Sequence, residues 1–201
     1  GRLNVKIIVG PQSTAKTVAA LKGLRVNLGA ENSDNAVTAR QILGFHGLSV
    51  KRVKPSYLDF PAATEALAAG KIDAMIVVDA LDSRDVTNLA NSIPVRFLPI
   101  EGEPVNKMMK GFGFIAAGVI KSGTFRNIPD TPTIELVAVW LVPAALDAEI
   151  AYELTRAVWL EATRKNLDQV SAAGKALDLQ LAIAGVSVPF HAGALKYYDE
   201  H

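Results

Sequence analysis

RVNLGAENSDNAVTARQIL, residues 25–43, changes its period halfway. Val26 to Leu28 form an apolar run that reads as the end of a strand. Gly29 interrupts it, and Ala36, Ala39, Arg40 and Leu43 then recur at helical spacing. A strand that hands over to a helix through small polar residues is the unit of a helix-covered sheet. The same handover recurs along the chain. LNVKIIVG (3–10), LRVNLG (24–29), VKRVKPSYL (50–58), DAMIVVDA (73–80) and VRFLPI (95–100) read as strands. Helices fall between the last four: one ending near Gly44 or Gly47, one from about Pro61 to Ala69, and one over 82–92. This βαβαβαβ order predicts an α/β fold with a mainly parallel sheet flanked by helices.

The second half reads differently. GFGFIAAGVI (111–120) and TIELVAVWLV (133–142) are predicted strands, which places Trp140 on a core face, as helical spacing does for Trp159. From Asp147 to about Ala173 the pattern predicts one long helix with Ile150, Leu154, Ala157 and Val158 on one face, and LDLQLAIAGV (177–186) a further helix.

With 201 residues, half of them apolar and a fifth charged, the chain can bury a sizeable core. A net charge of +1 gives no electrostatic ground for nucleic-acid binding. Cysteine is absent, which removes disulfides, thiolate metal sites and cysteine nucleophiles. No apolar run approaches the ~20 residues of a membrane span. GRLNVKIIVG lacks the parts of a signal peptide, so the chain reads as cytosolic or as the mature or truncated form of an exported protein.

The polar turn of the opening stretch admits two readings. Asn32, Ser33 or Asp34 can cap the helix by accepting from its first free N–H groups. Alternatively those N–H groups, at the positive end of the helix dipole, hold a ligand's anionic group where Gly29 lets the backbone come close. Glu31 and Asp34 add negative charge there and suit an amine instead. DAMIVVDALDSRD (73–85) repeats the pattern: Asp79, Asp82 and Ser83 cap the next helix or form an adjacent wall of the same cleft. Tyr57 is an aromatic floor or a core-edge residue. His46, His191 and His201 have no metal-ligand spacing, and neither a nucleophile elbow nor a phosphate loop is present, so no metal, cofactor or enzymatic activity is expected.

Taken together, several pieces resemble the TAXI-type solute receptors of TRAP transporters, which are periplasmic binding proteins. There an LKGKRV turn and strand lead through a glycine- and serine-rich turn into a helix carrying TARRVLEAAGL. The matching residues here are Leu21, Lys22, Gly23, Arg25, Val26, Gly29, Ser33 and Thr38-Ala39-Arg40. ATEALAAGKIDAMIVVDA (63–80), IPVRFLPI (93–100) and VSVPFHAGALKYYDEH (186–201) extend the match, the last being similar to the family's closing PLHPGALRYYRE. Two departures stand out. The family's first residues, about a hundred of them with a glycine-rich TGxxGGxYYPxG stretch, have no counterpart. The turn is GAENSDN, with Asn32 and Asp34 where the family's GAPGSGT carries glycines.

The resemblance implies a periplasmic-binding-protein-like (type II) fold with its second lobe incomplete. Residues 1–12 would be a hinge-crossing strand and remnant of lobe one, 13–132 a complete lobe two, and 133–201 the return hinge strand and C-terminal helices of lobe one. It implies an extracytoplasmic receptor that takes a small organic acid or amino acid to the membrane subunits of a TRAP transporter. Gly29, Ala30, Asn32, Ser33 and Asn35 would form one wall, with Tyr57, Asp79 and Leu81 the other. The incomplete lobe would leave an apolar face for a partner chain, such as a second copy, to cover. A ligand-sensing regulatory domain, an enzyme on the same scaffold and a truncated, non-binding remnant are the competing readings.

Overall fold

The strand β1 (Arg2–Val9) runs through the middle of the sheet with its last six residues buried on both faces, as a nearly continuous hydrophobic run requires. The computed structural model describes residues 2–137, 139–170, 177–179, 182–183, 186 and 188–201. After β1 come β2 (Arg25–Asn27), α1 (Asp34–Phe45), β3 (Lys54–Ser56), α2 (Phe60–Ala68), β4 (Ala74–Asp79), α3 (Arg84–Ser92) and β5 (Arg96–Leu98). Then follow α4 (Glu103–Gly111), β6 (Ile115–Ile120), β7 (Thr131–Val137), α5 (Ala148–Trp159), α6 (Glu161–Val170) and α7 (Ala192–Glu200).

The sheet order is β3-β2-β4-β1-β7-β6, with β5 also paired to β1. Asn4 to Val9 of β1 face β4 on one side; on the other, Ile7 to Val9 face β5 and Arg2 to Asn4 face β7. Only β2 with β3 and β2 with β4 pair in parallel; the three partners of β1 and the β6–β7 pair are antiparallel. The mainly parallel sheet expected from the element order is therefore a mixed one. The directions were right, since β2 to β5 all run the same way. Their adjacency was not, because β1 inserts antiparallel between β4 and β5. A helical crossover fixes the direction of the strands it joins, not who sits between them.

Helices cover both faces, and successive residues of β1 feed opposite layers. Ile7 packs with Ala39, Ile42 and Leu43 of α1 and Val105 and Met108 of α4. Ile8 packs with Ala63 and Leu67 of α2, Val86 and Leu89 of α3, and the Phe97–Phe125 pair, whose rings lie 5.4 Å apart. Buried polar groups close on the main chain: Thr133 Oγ1 donates to the Val5 carbonyl.

Beyond β7 the chain leaves this core. Here α5 and α7 pack on each other, with Tyr152 and Tyr197 edge to face at 5.5 Å and the Tyr152 hydroxyl donating to Glu200 at 2.7 Å. Their approach depends on Gly193: a Cβ there would run into the Ala148 carbonyl and stand 2.8 Å from the Tyr152 nitrogen.

Several expectations shift. The 50–58 strand keeps only Lys54–Ser56, because Val50–Arg52 winds into a 3-10 turn. Before β6 stands α4, in a stretch where no helix was expected, although Pro104 near its start and the buried Val105 and Met108 one turn apart mark it. The 133–142 strand ends at Val137, so Trp140 is 71% exposed rather than in the core. The long helix from Asp147 divides at Leu160, whose ψ of 138° is extended; an apolar stripe does not report a one-residue break. The end of that prediction, 171–173, and residues 180–181 and 184–185 of the predicted 177–186 helix lie outside the described residues; the described ones, 177–179, 182–183 and 186, are not helical.

Candidate functional site

The carboxyl ends of three adjacent parallel strands, β3, β2 and β4, lie together at one end of the sheet, where open α/β sheets take ligands. The residues predicted to bind come from those three exits. After Leu28 the chain turns at Gly29, whose φ of 94° suits glycine and whose missing Cβ makes room for the Asn35 amide. Asn32 follows with φ 61°, the left-handed region that asparagine tolerates, and is exposed.

Both readings of the turn leave a trace. Ser33 is the cap of α1: its Oγ accepts from Ala36 N at 3.1 Å and donates to the Ala30 carbonyl at 2.7 Å. Asn35 is a clamp. Its Nδ2 donates to the Leu28 carbonyl at 2.8 Å and the Ile76 carbonyl at 2.9 Å, and its Oδ1 accepts from Val78 N at 2.7 Å. It therefore joins β2 to β4 where the ladder has stopped. Asn27, buried in β2, does the same toward β3, accepting from Leu58 N at 2.8 Å and donating to the Leu58 carbonyl at 3.2 Å. So the side chains of Ser33 and Asn35, expected to meet a ligand, are committed to the protein's own main chain. What faces outward is the exposed Asn32, the half-buried Ala30 and the N–H groups of Asp34 and Asn35, which have no partner among the described residues.

Tyr57 and Leu81, 36% and 38% exposed, stand at the exits of β3 and β4. Asp79 ends β4 with its Oδ1 accepting from Ala80 N at 2.7 Å. Behind them lies Lys6, a residue that sequence reasoning passed over. Its Nζ donates to the Ala80 carbonyl at 2.7 Å and the Asp79 carbonyl at 3.3 Å. Burial lowers its pKa to about 8, against the pull of Asp79 and Asp82. The signal was a lone lysine inside VKIIV, a run otherwise hydrophobic on both faces.

None of the eight predicted residues lines the large cavity of the molecule. That space, about 950 Å³, lies under the C-terminal segment between Trp140, Leu154, Val158 and Phe190, with Arg2 and His191 among its few polar neighbours. A second void of about 20 Å³, room for a water, sits at the opposite end of the strands beside the Arg25–Asp73 ion pair. The strand exits are the candidate, because they bring the polar turns of three adjacent strands to one edge of the sheet. The large space is lined by the inner side of α5, by apolar residues of 139–146 and 186–194, and by Arg2 and Val137 at the end of the β1–β7 pair. Among the described residues no group of three His, Asp or Glu could hold a metal ion, and no helix is long and apolar enough to cross a membrane.

A family model described as NMT1-like matches residues 4–201. Among solved structures, the periplasmic aliphatic sulphonate binding protein SsuA from Escherichia coli is 20% identical, with 98% of this chain and 54% of that one covered and a TM-score of 0.47. The alkanesulfonate-binding SsuA from Xanthomonas axonopodis pv. citri, bound to MOPS, is 22% identical over 98% and 61% of the two chains, TM-score 0.48. The L-cystine solute receptor of Neisseria gonorrhoeae is 14% identical over 48% and 37%, TM-score 0.34. This chain spans a little over half the length of the two sulphonate-binding proteins.

Proposed function

The chain belongs to the NMT1-like family, and from that premise we propose that it is a solute-binding receptor acting outside the cytoplasm, which captures a small organic acid or amino acid without turning it over. The observation that carries this is the convergence of three parallel strand exits on one rim. There the N–H groups of Asp34 and Asn35, without a partner among the described residues, lie on the same edge as Ala30, Asn32, Tyr57 and Leu81. The donors and the positive end of the α1 dipole suit a carboxylate or sulfonate. The carboxylates of Glu31 and Asp79 suit an amine on the same solute. Asn35 and Asn27 serve by holding the three exits in register, and Ser33 by capping α1.

In this reading residues 13–132 are one lobe, β1 and β7 are the crossings, and the helices after Pro143 belong to a second lobe that closes over the solute. Delivery goes to a membrane transporter; the TAXI-like motifs favour a TRAP-type one. A second copy over the exposed Val139–Leu141 is the further partner this reading admits.

A thermal-shift screen with glutamate, arginine, succinate and MOPS tests it. A bound solute raises the melting midpoint in a dose-dependent way, by about 2.7 kcal/mol of stabilisation at a hundredfold excess over Kd. Tyr57→Ala should remove that rise while leaving the unliganded midpoint unchanged. A flat response to all four at millimolar concentration would end the proposal.

A further inference from the structure

Lys6 is 1% exposed in the centre of the sheet, and an ammonium so deep in the protein is held only where it finds oxygen. Two of its donors meet the Ala80 and Asp79 carbonyls, and its charge lies 5.9 Å from the centroid of the Phe125 ring. Both carbonyls belong to the turn that takes β4 into α3. Ala80 O also accepts from Ser83 N at 3.3 Å, and Ser83 Oγ accepts from Val86 N at 3.4 Å as the cap of α3. The end of β4 is thus fixed from two sides: by Asn35 at Ile76 and Val78, and by Lys6 at Asp79 and Ala80.

We propose that Lys6 is a positioning residue of the site: its ammonium ties the Asp79–Ser83 turn to the central strand and so sets where Leu81 and Asp82 stand toward a bound solute. This rests on the reading of that turn as a wall of the solute site. The charged groups that face Lys6 are Asp79, from β4, and Asp82, from the turn; the segment joining β6 to β7 brings only the neutral Phe125 ring. Since β1 is also the strand proposed to cross between lobes, the tether links lobe closure to the wall.

The wild-type chain tests the tether directly by NMR. The amides of Ala80, Leu81 and Asp82 should titrate with the same midpoint as Lys6 Cε, about 8, and amides that stay flat while Lys6 titrates would overturn the tether. Because the chain has no cysteine, Lys6→Cys can be aminoethylated in the unfolded state and refolded, which restores an ammonium at nearly the same reach. In Lys6→Met the Ser83 amide should exchange about tenfold faster relative to that of Val26, and aminoethylated Lys6→Cys should return to within about twofold of wild type. Unchanged exchange in Lys6→Met, or fast exchange in both variants, refutes the proposal. If neither variant folds, the wild-type titration alone decides it. Whichever of glutamate, arginine, succinate or MOPS raises the wild-type midpoint should bind Lys6→Met about tenfold more weakly. A turn that follows Lys6 while no solute binds would retain the tether and sink the receptor reading. A solute hit beside a turn indifferent to Lys6 would do the reverse.

Discussion

The sheet region and the C-terminal region share one hydrophobic vocabulary and treat it in opposite ways. In β1, Val5, Ile7, Ile8 and Val9 are at most 1% exposed. In the C-terminal region Trp140 is 71% exposed, Leu141 68% and Ile150 52%. Among the described residues beyond Ile134, only Ala151 and Tyr197 are buried hydrophobics. The face of α5 predicted from its period holds only in part: Leu154 and Val158 look into the large cavity, but Ile150 and Ala157 are exposed, and the inward side is completed by Ala151 and Thr155. Amphipathic pattern marks which side of a helix wants cover; a second layer has to supply it.

Matched truncations put that contrast under strain. Ile7→Ala should cost about 2–5 kcal/mol in urea unfolding, because it leaves a cavity in the fully buried layer between β1 and the helices α1 and α4. An Ile7→Ala cost no larger than that of Ile150→Ala would erase the contrast. Lys6 sharpens it by pH. Its folded pKa, about 8, lies below the ordinary 10.5, so the unfolded chain binds more protons in between. The cost of burying the charge is present in full below about pH 8 and is relieved as pH rises toward 10.5. Wild type should gain up to about 3 kcal/mol relative to Lys6→Met across that window, and parallel stability curves for the two would sink the claim.

Asn35→Ala strands the Val78 N–H and two carbonyls beyond the ladder, and should cost about 2 kcal/mol in the same unfolding experiment. A loss under roughly 0.5 kcal/mol would mean that Asn35 is free for a ligand after all. The smallest effect belongs to the exposed apolar stretch. Trp140→Ser should leave stability within about 0.5 kcal/mol while lowering any self-association seen by light scattering. A marked loss of stability would show that the region has a core of its own.

Much of the sheet region was legible in residue order. The change of period at Gly29, the Ser33 cap and the common direction of β2 to β5 all follow from local signals. At the candidate site, residue order points to the strand exits, while the contacts belong to the structure: Ser33 and Asn35 bond the protein's own main chain, and Lys6 holds the turn after β4. Nothing in GAENSDN says that the Asn35 amide will find Ile76 and Val78, forty-one and forty-three positions away. α4 carries only a short signal, Pro104 near its start and one apolar pair, Val105 and Met108, a turn apart, and it runs directly into the apolar stretch of β6.

In the first half of the chain, backbone propensity and the spacing of apolar side chains settled the alternation of β2 to β5 with α1 to α3, since that depends on a few neighbours in the chain. Only the tertiary structure decided that β1 inserts between β4 and β5, that Lys6 meets two carbonyls of a distant turn, and that Leu154 and Val158 of α5 face a cavity. Those outcomes depend on which remote surfaces exclude water together, and no local period encodes that.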